Sequence, residues 1–279
     1  MLTAKLAKRA WCGTQARVIH YCCRAWFEVY PAQLKAHHVT SVVADWRGYA
    51  APTRYCYHQQ LRVLLRELVT YGAPSTLPGL VPCVPKPGPR LNVAGDAELG
   101  TLLAAASPAV RLAMLLAAEV GIRSGTIARL SPREWCRERK VLIFRSKFGT
   151  TQEMPTTPAV DALLDIAVYG QSPNCIVPFV QLLHGPGVVT TAKWLQQQFR
   201  ALKVVTGVGR GLTYHDLRRT VAHRAYEKTH DVRVVQSILG HQDLAHTFWY
   251  LGQQAHSPNR ELMAELAANH TEEEDYAAE

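Results

Sequence analysis

Between Thr213 and Tyr250 the chain concentrates groups that hold protons and negative charge. The run Thr213-Tyr214-His215-Asp216-Leu217-Arg218-Arg219-Thr220 sets an imidazole and a guanidinium three residues apart, one helical turn on a shared face. Ile238-Leu239-Gly240-His241 adds a second imidazole directly after a glycine, and Tyr250 follows nine residues later. A tyrosine among such groups is equipped to attack a phosphodiester. An unperturbed phenol has a pKa near 10, so ionising it at pH 7 costs roughly 4 kcal/mol. A proton acceptor and nearby positive charge must offset that cost. Forked guanidinium donors also suit the non-bridging oxygens of a phosphoryl centre under attack.

Taken singly, each element has an ordinary reading. An H-x-x-R pair arises by chance on many helices, and Leu239-Gly240-His241 alone is only a helix C-cap. Tyr250 lies beside Phe248 and Trp249 and suits a hydrophobic core. Arg123 follows an apolar helix, a common place for a surface or ion-paired arginine, and Lys147 near a hairpin tip is ordinarily solvated. Order and spacing change the weighting. Gly121-x-Arg123 comes first, then Lys147 eight residues before Pro155, then His215 to Arg218, then Leu239-Gly240-His241, then Tyr250. In that order the five elements resemble the signature of the tyrosine recombinases, the phage integrase and Xer-type family. The resemblance covers about residues 95–255 closely and 32–72 loosely.

That resemblance implies a catalytic set of Arg123, Lys147, His215, Arg218 and His241 around the nucleophile Tyr250. The two arginines would hold the non-bridging oxygens and His241 would donate a further hydrogen bond. His215 would act as acid or base near the phosphate, and Lys147 would protonate the leaving 5′ oxygen. The product would be a 3′-phosphotyrosyl linkage with a free 5′-hydroxyl. Because the bond energy stays in the ester, no cofactor, metal or ATP is implied. The sequence departs from the family pattern at Thr126, where an acidic residue usually stands three positions after the first arginine. Arg219, where the family frequently has histidine, is expected to leave the chemistry unchanged. The implied function is site-specific recombination of double-stranded DNA carrying paired recombinase-binding sites, by a tetramer formed on that DNA. Two other readings are a type IB topoisomerase, whose group usually has lysine where His215 stands, and a non-catalytic DNA-binding protein that kept the fold.

The elements that must position these residues can be read from periodicity and punctuation. Helices are expected over residues 15–30, 39–49 and from about 53 to Gly72, the last with Leu61, Leu64, Leu65, Leu68 and Val69 at three-to-four spacing. Arg54, Arg62 and Arg66 give that helix a basic side. Residues 74–90 hold six prolines and read as an extended basic strap in which Lys86 and Arg90 suit an anion. Beyond it, helices are expected at 96–103, 109–120, 160–169, 194–202, 213–228, 231–239, 245–251 and 259–268, with a hairpin from Val141 to Pro155. The fold class is therefore mainly α with a small antiparallel β-sheet. The expected division is a helical core-binding domain at 1–73, a Pro-rich linker at 74–92, a mixed α/β catalytic domain at 93–256, and a C-terminal helix with an acidic tail at 257–279. The resemblance implies that the two domains close as a clamp round duplex DNA. The length is expected to leave no room for a further arm-binding domain.

Bulk properties agree with a polyanionic partner. The net charge is +9 and the pI about 9.3. Acidic residues at 272–275 and 279 lower that balance from +14 over residues 1–271. Apolar residues make up 48% of the chain, enough for a sizeable core. The seven cysteines show no CxxC pair and read as free thiols of a reducing compartment. Cys12, His20, Cys22 and Cys23 fit no common zinc spacing. No apolar run reaches the ~18 residues of a membrane span, and no signal-peptide core is evident. A cytoplasmic, nucleoid-associated location is expected.

Overall fold

The computed structural model describes residues 13–146, 149–187 and 189–252. Lys147 and the expected helix at 259–268 lie outside these residues. The chain divides into two compact units, Met1–Gly88 and Pro89–Glu279.

The first unit is helical: α1 (Gly13–Ala25), α2 (Ala36–Asp45) and α3 (Ala51–Val69). Val18, Cys22, Val39, Val42, Leu61, Leu64, Leu65 and Leu68 fall on their inner faces and form one core. Trp46 is fully buried there, with the Tyr57 ring edge-on at 5.1 Å. The buried indole of Trp26 donates to the His38 carbonyl at 3.1 Å. Part of the Pro-rich strap belongs to this core. A 3₁₀ turn at Leu77–Leu80 lets Leu77 and Val81 bury their side chains. Arg62 Nη2 then donates to the Val81 carbonyl at 2.9 Å, so this arginine of the expected basic side is spent internally.

The second unit is built around α5 (Pro108–Ala118), which follows α4 (Asp96–Ala105). Every residue of α5 from Leu112 to Ala118 is buried, as an all-round apolar sequence requires. A four-residue α6 (Ser124–Ile127) leads to the antiparallel sheet β1 (Trp135–Cys136), β2 (Val141–Arg145) and β3 (Thr151–Pro155). The order is β1-β2-β3, with Val141 opposite Pro155 and Arg145 opposite Thr151. Then come α7 (Pro158–Val168), α8 (Phe179–His184), α9 (Ala192–Thr206), α10 (Tyr214–Thr229), α11 (Val232–Leu239) and α12 (Leu244–Leu251). The last three meet in a small cluster of Ala222, Val235, Leu239, Tyr250 and Leu251. The expectations at the sequence level missed α6, α8 and β1, all short elements. Among the described residues no helix is long and apolar enough to cross a membrane.

Two glycines fix the turns that matter most. Gly121, after α5, has φ +79, and a Cβ there would lie 3.2 Å from both Ile238 Cγ2 and Val221 Cγ1. Gly240, after α11, has φ +55, and its Cβ would collide with the side-chain amide of Gln152 on β3. Both pay the left-handed penalty on substitution, about 1–2 kcal/mol. Gln152 can swing aside, whereas the branched, half-buried side chains of Ile238 and Val221 have less freedom to move. Gly121→Ala should therefore lose about 2 kcal/mol or more in denaturant unfolding, and Gly240→Ala about 1 kcal/mol.

Candidate active site

The turn at Gly121 delivers Arg123 as the residue that caps α6. The first turn of α10 places His215 and Arg218, with the Asp216 carboxylate accepting from the Thr213 N–H at 2.7 Å. The left-handed Gly240 ends α11 and aims His241, whose Nδ1 lies 3.1 Å from Thr247 Oγ1 on α12. The same α12 carries Tyr250, only 6% exposed.

Five of the six expected residues converge. Tyr250 Oη is 3.3 Å from His215 Nε2, and the His241 ring stands edge-on to the Tyr250 ring at 5.5 Å. Arg218 is 4% exposed and donates from Nη1 to the Gly121 carbonyl and from Nη2 to the Leu239 carbonyl. It thus ties the ends of α5 and α11 together. Arg123 is half-buried and lines a small cavity with Arg218, Thr126 and Gln152. Thr126, at the position where the resembled family usually has an acid, is buried in that same cavity. The β2–β3 hairpin reaches the cluster through Gln152, packed against Gly240. The sixth residue, Lys147, falls outside the described residues.

The electrostatics follow from burying positive charge. Burial, then the neighbouring Arg123, lowers Arg218 to about 10, which leaves it charged at neutral pH. Burial and the charges of Arg218 and Arg219 bring His215 down to about 4. His215 keeps an exposed face, so solvent screens part of that depression. Burial with Arg218 and Arg123 brings His241 to about 4 as well. Burial raises Tyr250, while Arg218, Arg219 and Arg123 pull it back. Both imidazoles are therefore neutral at pH 7. Neutral His215 Nε2 can accept the phenolic proton. When His241 Nδ1 accepts from the Thr247 hydroxyl, its Nε2 carries a proton and becomes a donor.

Folded histidines held below their unfolded value near 6.5 refuse a proton that the unfolded chain accepts. Their contribution to stability is complete above pH 6.5 and is lost as pH falls through the window from 6.5 to about 4. A melting series should show Tm falling across that window, and His241→Asn should make the fall shallower.

Two buried charged groups beside Tyr250 were not expected there from sequence. Arg219, expected to be indifferent, is buried and places Cζ 4.5 Å from the Tyr250 ring centroid. Asp216 is fully buried and pairs with Arg219 Nη1 at 3.1 Å. Arg90, read as part of an anion-facing strap, instead approaches Asp216 Oδ2 at 3.2 Å and donates to the Gly211 carbonyl. Adjacent acids and arginines on a helix carry no sequence signal for which face meets Tyr250.

Comparison with known proteins gives the family. Residues 96–256 match the model of the phage integrase family, so the chain belongs to that family, the tyrosine recombinases. No curated protein matches the chain. Among solved structures, a lambda integrase fragment, as a dimer bound to a COC′ core site, is 17% identical with a TM-score of 0.70, covering 92% of this chain and 95% of that one. The Tn1549 transposon integrase in complex with transposon right-end DNA is 15% identical with a TM-score of 0.69, covering 96% and 97%. XerA recombinase is 17% identical with a TM-score of 0.51, covering 96% of each chain. At these identities the likeness is one of fold.

Proposed function

We propose that this chain is a site-specific DNA recombinase that cuts and rejoins duplex DNA through a 3′-phosphotyrosyl linkage on Tyr250. The observation that carries the reading is Tyr250 Oη at 3.3 Å from His215 Nε2, beside buried Arg218 and half-buried Arg123. Buried cations with few anionic partners favour an anion in the site, and a phosphodiester supplies one.

In the proposed step, the phenolic proton passes to His215 Nε2 as the Oη–P bond forms. Arg123, Arg218 and His241 hold the non-bridging oxygens as charge builds. The P–O5′ bond breaks, and the 5′ oxygen leaves as a hydroxyl after taking a proton, a role assigned to Lys147. Attack by a 5′-hydroxyl reverses each step and reseals the strand. Residues 1–73 would serve as the core-binding domain, 74–92 as the linker, 93–256 as the catalytic domain and 257–279 as the C-terminal helix and tail. Assembly on paired sites as a tetramer is supported by analogy with the lambda integrase tetramer bound to a Holliday junction, 18% identical with a TM-score of 0.69.

The test is trapping on nicked duplexes drawn from DNA flanking the gene, from which the short leaving strand diffuses away. The expected product is protein joined to a 3′ phosphate, with a 5′-hydroxyl that accepts label directly. Relaxation of supercoiled DNA without exchange between sites would favour the topoisomerase reading instead. Intact DNA binding with no linkage on any flanking segment would leave only the binding-protein reading.

A further inference from the structure

Arg219 makes three contacts that nothing in the proposed reaction uses. Its guanidinium centre lies 4.5 Å from the Tyr250 ring centroid, and its Nε donates to the Tyr250 carbonyl at 3.2 Å. Its Nη1 donates to Asp216 Oδ1 at 3.1 Å. The other oxygen of Asp216 accepts from the Thr213 N–H and hydroxyl, each at 2.7 Å, with Arg90 Nε at 3.2 Å. A carboxylate anchored at the start of α10 therefore holds Arg219, and Arg219 holds both a ring face and a backbone carbonyl of α12. All of these groups are buried except Arg90 and Thr213.

We propose that Arg219 is a positioning residue for the nucleophile, clamping Tyr250 by ring face and carbonyl so that Oη is aimed at His215 before DNA arrives. The inference rests on Tyr250 being the nucleophile. A planar fork can meet a carboxylate, a carbonyl and an aromatic face together, which an ammonium cannot. All three contacts are made within the protein and need no group from DNA, which is what preorganisation requires. The clamp also sets a fixed positive charge against the phenol. The other charged or titratable groups acting on that phenol are His215, Asp216 and Arg218 of α10, Arg123 ahead of α6, and His241 after α11. Arg123 and Arg218 share their charge with a bound phosphate, whereas Arg219 faces the ring.

The experiment is single-turnover adduct formation on a nicked duplex, followed against pH, for the wild type, Arg219→Gln and Arg219→Lys, with thermal melting and DNA affinity measured on each. Arg219→Gln should slow adduct formation ~10²-fold at pH 7 and move the rising limb of the pH profile to higher pH, because a cation has left the phenol. Arg219→Lys should keep the wild-type midpoint yet remain about tenfold slow, because the charge stays and the fork is lost. DNA affinity should hold within about threefold in both, since neither change touches the arginines assigned to phosphate. A wild-type rate and profile in Arg219→Gln would overturn the proposal, as would full recovery in Arg219→Lys. A loss that only tracks the unfolded fraction would overturn it too. Should Arg219→Gln fail to fold, the rate of folded Arg219→Lys decides: slow supports the clamp, wild-type sinks it. A wild-type chain that forms no adduct marks the separate failure of the nucleophile assignment and takes the clamp with it.

Discussion

Tyr250→Phe should bind DNA within about threefold of the wild type and form no covalent adduct, a loss of at least ~10⁴-fold, the scale on which removing a covalent nucleophile acts. The substitution removes one oxygen and its 3.3 Å contact to His215 Nε2. The ring stays, and with it the cation over its face and the packing against Ala222, Val235, Leu239 and Leu251. Stability should therefore change by less than about 1 kcal/mol. Gel analysis under denaturing conditions reads the adduct, and filter binding reads the affinity. An adduct that persists in this variant would move the nucleophile elsewhere and dismantle the proposed site.

Arg218→Lys should fail twice, in rate and in folding. Arg218 bridges the Gly121 and Leu239 carbonyls from two different nitrogens. A single ammonium cannot reproduce that fork, so at least one buried carbonyl loses its partner, at about 1–3 kcal/mol. At roughly 2–4 °C per kcal/mol for a unit of this size, Tm should fall by about 5 °C. The transition-state contact proposed for Arg218 would be lost as well, so adduct formation should slow by about 10²–10³-fold even at temperatures where the variant is folded. Arg123→Lys supplies the contrast. Arg123 is half-exposed, so its loss should appear in rate with a smaller change in Tm. Equal Tm losses in the two variants would remove the stapling role assigned to Arg218.

Much of this was legible in the sequence, for reasons that can be named. The all-round apolar run of α5 could only be buried, and glycines at 121 and 240 had to end what preceded them. That Arg123, His215, Arg218, His241 and Tyr250 belong to one site was implied by the family resemblance their order carries, since each residue alone had an ordinary reading. What escaped depended on distant partners. Elements as short as α6 and β1 have no periodicity and owe their form to tertiary contacts. Arg219 follows an arginine and looks like a solvated neighbour until α12 is seen to pack against it. Gln152 meets Gly240 only once the hairpin is docked. Leu77 and Val81 sit among prolines that read as a strap, yet they close the first unit's core.

Proteins are made from the N-terminus, and that direction gives the Arg218 staple a temporal meaning. Its first carbonyl acceptor, at Gly121, exists long before Arg218 is synthesised, and the second, at Leu239, is added only afterwards. Tyr250 comes later still. A nascent chain thus acquires the arginines assigned to phosphate first and the proposed nucleophile after them. A chain truncated between Leu239 and Tyr250 would carry the arginines assigned to phosphate and lack the proposed nucleophile.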